Sequence, residues 1–92
     1  MHIEFKGVTL DQYDESINRM GFQPGGTGGP EGLLFHWVTS TPDGIRATDV
    51  WESRDAFNRF AEEKLLPVTR EMGIAGPPEL QFHDVHNHLT AG

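Results

Sequence analysis

Residues 33–51 read LLFHWVTSTPDGIRATDVW and predict a β-hairpin. Two runs rich in aromatic and β-branched side chains, 33–39 and 45–51, flank Thr41-Pro42-Asp43-Gly44, where Pro and Gly occupy positions favoured in a tight turn. Two such runs joined by a short turn are typical of neighbouring antiparallel strands. Residues 33–51 therefore supply two neighbouring strands of the predicted fold.

A strand and a helix are predicted before the hairpin. Residues 2–7 alternate between polar and apolar side chains, as a strand with one apolar face does, and Gly7 closes it. Thr9 and Gln12 have the spacing of a capping box, and an apolar stripe follows at helical intervals. Gly21 supplies the left-handed residue that ends such a helix.

A second helix and a last strand are predicted after the hairpin. Ser53 is the predicted N-cap, and Pro67 should make the helix kink or restart because it lacks an N–H and crowds the preceding turn. Gly73 ends the helix, residues 76–78 form a rigid connector, and residues 80–88 form the closing strand.

Residues 23–32 contain five glycines and are predicted to be a connecting loop. A phosphate-binding loop would follow a strand and carry a defined glycine pattern, often with a Lys. This segment follows a helix and has no Lys, so the sequence favours a connector.

The element order β-α-β-β-α-β predicts one ferredoxin-like α+β domain over residues 1–92. Right-handed crossovers place both helices on one face of a four-stranded antiparallel sheet. The alternation predicts apolar groups on the opposite face as well, which would then be exposed to water. Each of three predicted strands has apolar side chains on both faces. On the second strand these are Leu34 and Val38 on one face and Leu33, Phe35 and Trp37 on the other. On the third strand they are Val50 on one face and Ile45, Ala47 and Trp51 on the other, and on the last strand Val85 on one face and Leu80 and Phe82 on the other.

Covering such a second face requires a partner, and a symmetric homodimer is the simplest one. The sequence therefore predicts a sheet-to-sheet dimer with twofold symmetry.

Composition limits the classes of function. The net charge of −7 argues against nucleic acid and anionic membrane surfaces as partners, since both require a concentrated basic face. No apolar run approaches the ~20 residues of a membrane span. The chain has no Cys, which excludes disulfides and thiolate metal sites, and a cytoplasmic location is the default expectation.

The chain resembles the dimeric α/β-barrel superfamily, and within it the antibiotic-biosynthesis-monooxygenase-like group. The resemblance rests on three segments: the hairpin with GLLFHW at 32–37, the strand-to-helix junction VWESRDAF at 50–57, and the closing FHDVHN at 82–87. The junction is the most specific of the three. It implies a homodimer that binds a small apolar or aromatic molecule. Members include cofactor-independent monooxygenases, polyketide cyclases, isomerases and haem-degrading enzymes.

Haem degradation is the least compatible of these activities. The haem-degrading members use an Asn on the first strand, a Trp on the second helix and a His near the end of that helix. This chain has no Asn on its first strand, Phe60 stands where the Trp is expected, and no His lies between Trp37 and Phe82.

Three histidines are the candidate catalytic residues, because His titrates near neutral pH and is the usual proton shuttle. His36 lies in the middle of a predicted strand and is either a pocket acid–base or a core histidine. His83 and His86 lie on opposite faces of the predicted last strand.

The candidate ligand-binding residues are aromatic or polar side chains expected near the cleft between sheet and helices: Tyr13, Trp37, Asp49, Trp51, Phe60 and Asn87. The two Trp side chains can stack on an aromatic ligand or belong to the core. A buried Tyr13 hydroxyl needs a partner, which a His or a ligand would supply.

A metal pair, His86 and His88, is the remaining alternative, with Asp84 and Glu4 as further ligands. A solvated His88 is the simpler interpretation, so no metal and no cofactor are predicted. The hypotheses are a cofactor-independent monooxygenase-like or cyclase-like enzyme with a His acid–base, a non-catalytic small-molecule-binding or stress-response protein, and a metal-dependent protein using the C-terminal His cluster.

Overall fold

The structure is a computed structural model that describes residues 1–23, 28–74, 78–89 and 91. The elements in chain order are β1 (His2–Lys6), α1 (Leu10–Arg19), β2 (Leu33–Thr41), β3 (Gly44–Trp51), α2 (Arg54–Phe60), a π-helical turn (Ala61–Leu65), α3 (Leu66–Glu71) and β4 (Glu79–Gln81).

The four strands form one antiparallel sheet in the spatial order β2-β3-β1-β4. The helical segments contact the sheet face that bears Ala47 and Asp49. Phe57 of α2 shares a core cluster with Ala47, and Tyr13 of α1 reaches His36, which pairs with Asp49 across the hairpin. The α+β architecture, with its two helical stretches, is compatible with a ferredoxin-like fold.

The predicted hairpin is confirmed, and it is longer than expected. Thr41 pairs with Gly44, so only Pro42 and Asp43 lie between the strands. One irregularity interrupts the ladder between Leu33 and Phe35, which breaks the simple alternation predicted for this end of β2.

The predicted ends of α1 are also confirmed. The Thr9 hydroxyl accepts a hydrogen bond from the Gln12 amide at 3.2 Å, and the Gln12 side chain accepts one from the Thr9 amide at 2.9 Å. Gly21 has φ +86°, and its amide donates to the Asn18 carbonyl. Both ends are therefore set by local sequence, as a capping box and a left-handed glycine require.

The second helical stretch restarts at Pro67, as predicted. The π-helical turn precedes it, and α3 begins at Leu66 with Pro67 in its first turn. A Pro ring collides with the carbonyl four residues earlier in an α-helix, and a wider turn gives that ring room. Gly73, with φ +71°, follows the end of α3, as predicted.

The last strand is shorter than predicted, and this corrects the sequence analysis. β4 pairs with β1 through three residues only, ending with Gln81 opposite His2. Since β1 itself begins at His2, no neighbouring strand continues beside the next residues, and 82–89 lie outside any helix or strand. His83 and His86 therefore do not occupy alternate faces of a sheet strand.

The core lies between the sheet and the helices. Ile3, Ala47 and Phe57 form its central buried cluster, with Trp51 and Phe60 packed against it. No helix in the described ranges has the length and apolar character needed to cross a bilayer.

The opposite sheet face is apolar over only part of its area. The predicted second apolar face is therefore present on β2 and the neighbouring end of β3 but not on β1. On β2, Phe35 and Trp37 are 53% and 47% exposed. Val50 of β3 lies directly opposite Phe35 in the sheet. The outward positions on β1 and the rest of β3 are instead polar: His2, Glu4, Lys6, Arg46 and Thr48. Connector 76–78 and the centre of loop 23–32 lie largely outside the described residues.

Gly44 is the position where the β1–β3 pairing tolerates no side chain. A Cβ there would meet the Phe5 carbonyl oxygen in steric overlap and lie 3.0 Å from the Gly7 nitrogen. Because these are backbone atoms of a paired strand, we expect Gly44→Ala to lower the free energy of unfolding by about 3 kcal/mol, as an overpacked site does. Urea denaturation followed by circular dichroism measures this loss.

Gly7→Ala is the matched control for that substitution. Gly7 has φ +75° but open space around the position of a Cβ, so its replacement carries only the left-handed penalty of about 1–2 kcal/mol. An equal loss in the two variants would show that steric overlap at the hairpin end is not the dominant effect.

Candidate functional site

Three side chains form a hydrogen-bonded chain between α1 and the hairpin. The Tyr13 hydroxyl lies 2.5 Å from Nε2 of His36, and Nδ1 of His36 lies 2.5 Å from Oδ1 of Asp49. Asp49 is 6% exposed, whereas the His36 side chain is 28% exposed. The hydrogen-bonded chain thus runs from a buried carboxylate through a partly exposed imidazole to the Tyr13 hydroxyl.

The hairpin and α1 place these groups. His36 and Asp49 are directly opposed residues of β2 and β3, so their side chains leave the same face of the sheet. Tyr13 lies on the face of α1 turned toward that sheet, and its ring is within 12° of parallel to the imidazole. Register and helix packing together therefore align the three polar groups.

The direction of the hydrogen bonds follows from the carboxylate. Trp51 donates its indole N–H to Oδ2 of Asp49 at 3.0 Å, and His36 occupies Oδ1. An ionised carboxylate only accepts, so the imidazole donates from Nδ1. With that proton on Nδ1, Nε2 of the neutral ring is an acceptor, and the Tyr13 hydroxyl donates to it. A base oriented by a carboxylate in this way is a recurring catalytic unit.

Aromatic packing holds the donor to the second carboxylate oxygen. The Trp51 ring lies 5.5 Å from Phe57 in an edge-on arrangement and 5.4 Å from Phe60 in a tilted one. Rings at these separations pack favourably and restrict the indole. In the part of the chain that the structure describes, no buried side-chain polar atom lacks a partner.

Burial and nearby carboxylates raise the pKa of Tyr13 to about 12. Desolvation of the phenol is the main cause, followed by the negative charges of Asp49 and Asp14. Tyr13 is therefore a neutral phenol at physiological pH, which agrees with its role as the donor to His36.

A cavity of about 1140 Å³ lies beside the hydrogen-bonded side chains of Tyr13, His36 and Asp49, between the helices and the sheet. Most of its lining is apolar or aromatic, including Leu33, Ile17 and Phe22. It also contains six residues that the sequence analysis named as candidates: Tyr13, His36, Trp37, Asp49, Trp51 and Phe60. A concave, largely apolar space with a few converging polar groups is the usual form of a small-molecule site.

Trp37 and the remaining candidates do not join the hydrogen-bonded chain. Trp37 borders the cavity, but alternation along β2 directs its side chain away from His36 toward the open sheet face. His83, His86 and Asn87 are exposed residues of the segment after β4 and are not part of the lining. Within residues 1–23, 28–74 and 78–89, no group of three or more His, Cys, Asp or Glu is placed to hold a metal.

The sequence analysis named all three members of the hydrogen-bonded chain and offered a His or a ligand as the partner of Tyr13, but it did not identify that His as His36 or connect His36 to Asp49. The signal for part of it was present: pairing across a two-residue turn at Pro42 and Asp43 brings His36 opposite Asp49. The contact with Tyr13 depends on how α1 packs on the sheet, which local sequence does not specify.

Comparison of the chain with models of known protein families, with curated proteins and with solved structures finds no match in any of the three. The geometry of the three hydrogen-bonded side chains and of the cavity beside them is therefore the basis for assigning a function.

Titration of Tyr13, the single tyrosine of the chain, tests the local environment. We expect the tyrosinate absorbance to rise with a midpoint near pH 12 in the folded protein, whereas an unperturbed tyrosine has a pKa of 10.0. The unfolded chain loses this proton first, so stability should fall as pH rises from 10 to 12, and Tyr13→Phe should remove that contribution.

Asp49→Asn serves as the comparison in that titration. It removes a negative charge near the phenol but leaves the residue of similar size, so the midpoint should fall while staying above that of the unfolded chain. A midpoint near 10 in the folded wild type would contradict the buried, hydrogen-bonded position of Tyr13.

Proposed function

We propose that the chain is a small enzyme that binds an apolar aromatic or polyketide-like molecule in the cavity and uses His36 as a general base. The observation that carries the proposal is the Asp49–His36–Tyr13 hydrogen-bonded chain beside a large apolar cavity. Asp49 holds the imidazole with Nε2 as its acceptor atom, the state that a base requires.

The proposed step is removal of a proton from an acidic C–H or O–H group of the ligand. The bond to hydrogen breaks, its electron pair stays on the ligand as an enolate or phenolate, and the proton goes to Nε2 of His36. The resulting imidazolium is stabilised by Asp49, which accepts from Nδ1 at 2.5 Å.

Two outcomes of the anion fit the expected monooxygenase-like or cyclase-like activity. With dioxygen as oxidant, a methylene carbon becomes a carbonyl, one oxygen atom stays in the product and the other leaves as water. In a cyclisation, the anionic carbon attacks a carbonyl of the same molecule, and the new C–C bond closes a ring as the C=O π bond breaks. The resulting alkoxide oxygen takes the proton back from Nε2 of His36. Both begin with the same proton transfer.

Tyr13 must release His36 before this transfer. Its hydroxyl occupies Nε2, the atom that would receive the proton. Breaking one such hydrogen bond costs about 1 kcal/mol, which ligand binding readily offsets.

Because the Tyr13 hydroxyl already occupies Nε2 of His36, a second candidate function is also supported, that of a non-catalytic small-molecule-binding protein. In that case the chain of hydrogen bonds only satisfies the polar groups that Asp49, His36 and Tyr13 place at the cavity wall. Proton exchange on a bound ligand separates the two functions.

We expect wild-type protein to accelerate exchange of the acidic C–H protons of 2-tetralone, an aromatic ketone, in deuterated buffer. His36→Gln keeps a polar side chain of similar reach but removes the base, so the acceleration should fall by about 10²–10⁴-fold. Proton NMR measures the exchange rate. His88→Gln, a change at an exposed residue after β4, should keep the wild-type rate.

Unchanged exchange in His36→Gln would remove the proposed base. Bound 2-tetralone with no acceleration by the wild type would favour the binding protein over the enzyme.

We also propose the dimeric form of a ferredoxin-like βαββαβ domain, with the open sheet faces of two copies in contact. Phe35, Trp37 and Val50 form an apolar patch on that face, and the two aromatic residues are each about half exposed. Burying such a patch against a symmetric copy stabilises both.

Trp37→Glu should convert the dimer to a monomer, because it places a charge in the centre of this patch. Sedimentation equilibrium at micromolar concentration measures the mass. Leu89→Glu is the control, since Leu89 is 86% exposed in the segment after β4 and should leave the dimer intact. A wild-type monomer would contradict the proposal.

A further inference from the structure

The described wall of the cavity carries acidic side chains but no Lys or Arg. Asp49 and Asp14 both line it, and no Lys or Arg belongs to the lining. The undescribed positions, 24–27, 75–77, 90 and 92, contain no Lys or Arg either. A protonated His36 would cancel only one of the two carboxylates, so the wall is net negative with either protonation state of His36.

The cations of the chain are directed to other partners. Three form ion pairs away from the cavity: Lys6 with Glu79, Arg19 with Glu15 and Glu71, and Arg46 with Glu4. Arg54 lies 4.3 Å over the Phe82 ring. Arg59 and Arg70 are exposed and are not lining residues.

Two cations outside the lining contact lining residues. The N-terminal ammonium of Met1 donates to the Asp49 backbone carbonyl at 2.8 Å, and the second cation is Lys64. Its ammonium donates to the Met20 carbonyl at 3.2 Å, at the end of α1, and lies 5.3 Å from the Phe22 ring centroid. Met20 and Phe22 line the cavity, but Lys64 does not. The carbonyls at a helix C-terminus attract a cation, so this contact holds Lys64 in place.

We propose that this cavity selects uncharged aromatic ligands and rejects carboxylates and phosphates of the same size. The inference rests on the proposed function only in taking the cavity as the ligand site. An anion entering it would lose hydration and gain no Lys or Arg partner from the described lining, while Asp49, 6% exposed, would repel it at low local dielectric.

The same carboxylates do not disfavour a neutral ligand. A phenol or ketone contributes apolar surface to the lining and one polar group that the imidazole can bond. A coenzyme A thioester or a phosphorylated substrate, by contrast, would have to keep its anionic part outside the cavity.

The test compares 2-naphthol with 2-naphthoate, which share one bicyclic ring system and differ in charge at pH 7. We expect wild-type protein to bind 2-naphthol at least about tenfold more tightly, measured by isothermal titration calorimetry. Asp14→Lys places a cation at an exposed lining position and should strengthen 2-naphthoate binding by about tenfold, leaving 2-naphthol nearly unchanged.

Asp14→Asn is the intermediate variant and should give a smaller gain for the anion. Equal affinity of the wild type for both ligands would overturn the proposal, as would a preference for 2-naphthoate or no binding of 2-naphthol at about 1 mM. Because the readout is binding alone, the result is independent of whether His36 acts as a base.

Discussion

The hydrogen bond between Nδ1 of His36 and Oδ1 of Asp49 is the interaction on which the site depends. It joins directly opposed residues of one hairpin, so the register of two strands sets its geometry. The bond fixes which imidazole nitrogen carries the proton, and that choice makes Nε2 an acceptor toward Tyr13 and the cavity.

The buried carboxylate is compatible with a stable small domain because each of its oxygens accepts a hydrogen bond. His36 serves one oxygen and Trp51 the other, and Trp51 is itself held between Phe57 and Phe60. Removing either donor would leave one oxygen of the buried carboxylate without a partner, which costs more than the hydrogen bond itself contributes to stability. The aromatic core therefore supports the polar site as well as the fold.

Local patterns predicted much of this architecture, and long-range packing determined the rest. The Thr9–Gln12 capping box and the turn before Gly44 were readable because each is set by a few adjacent residues. The length of β4 was not, since it depends on where β1 begins, and this misplaced His83 and His86. The candidates that lie together are those on the hairpin and helices, whose inward faces follow from alternation and helical spacing.

The protonation state of His36 tests the central claim most directly. Two-dimensional NMR of ¹⁵N-labelled protein at neutral pH, with His36→Gln used to assign the ring, distinguishes the two tautomers. The geometry predicts a proton on Nδ1 and an Nε2 that accepts a hydrogen bond. Replacing Tyr13 by Phe removes the donor to Nε2 and should shift the ¹⁵N resonance of that nitrogen further. A proton on Nε2, or fast averaging between both nitrogens as in a solvated histidine, would contradict it.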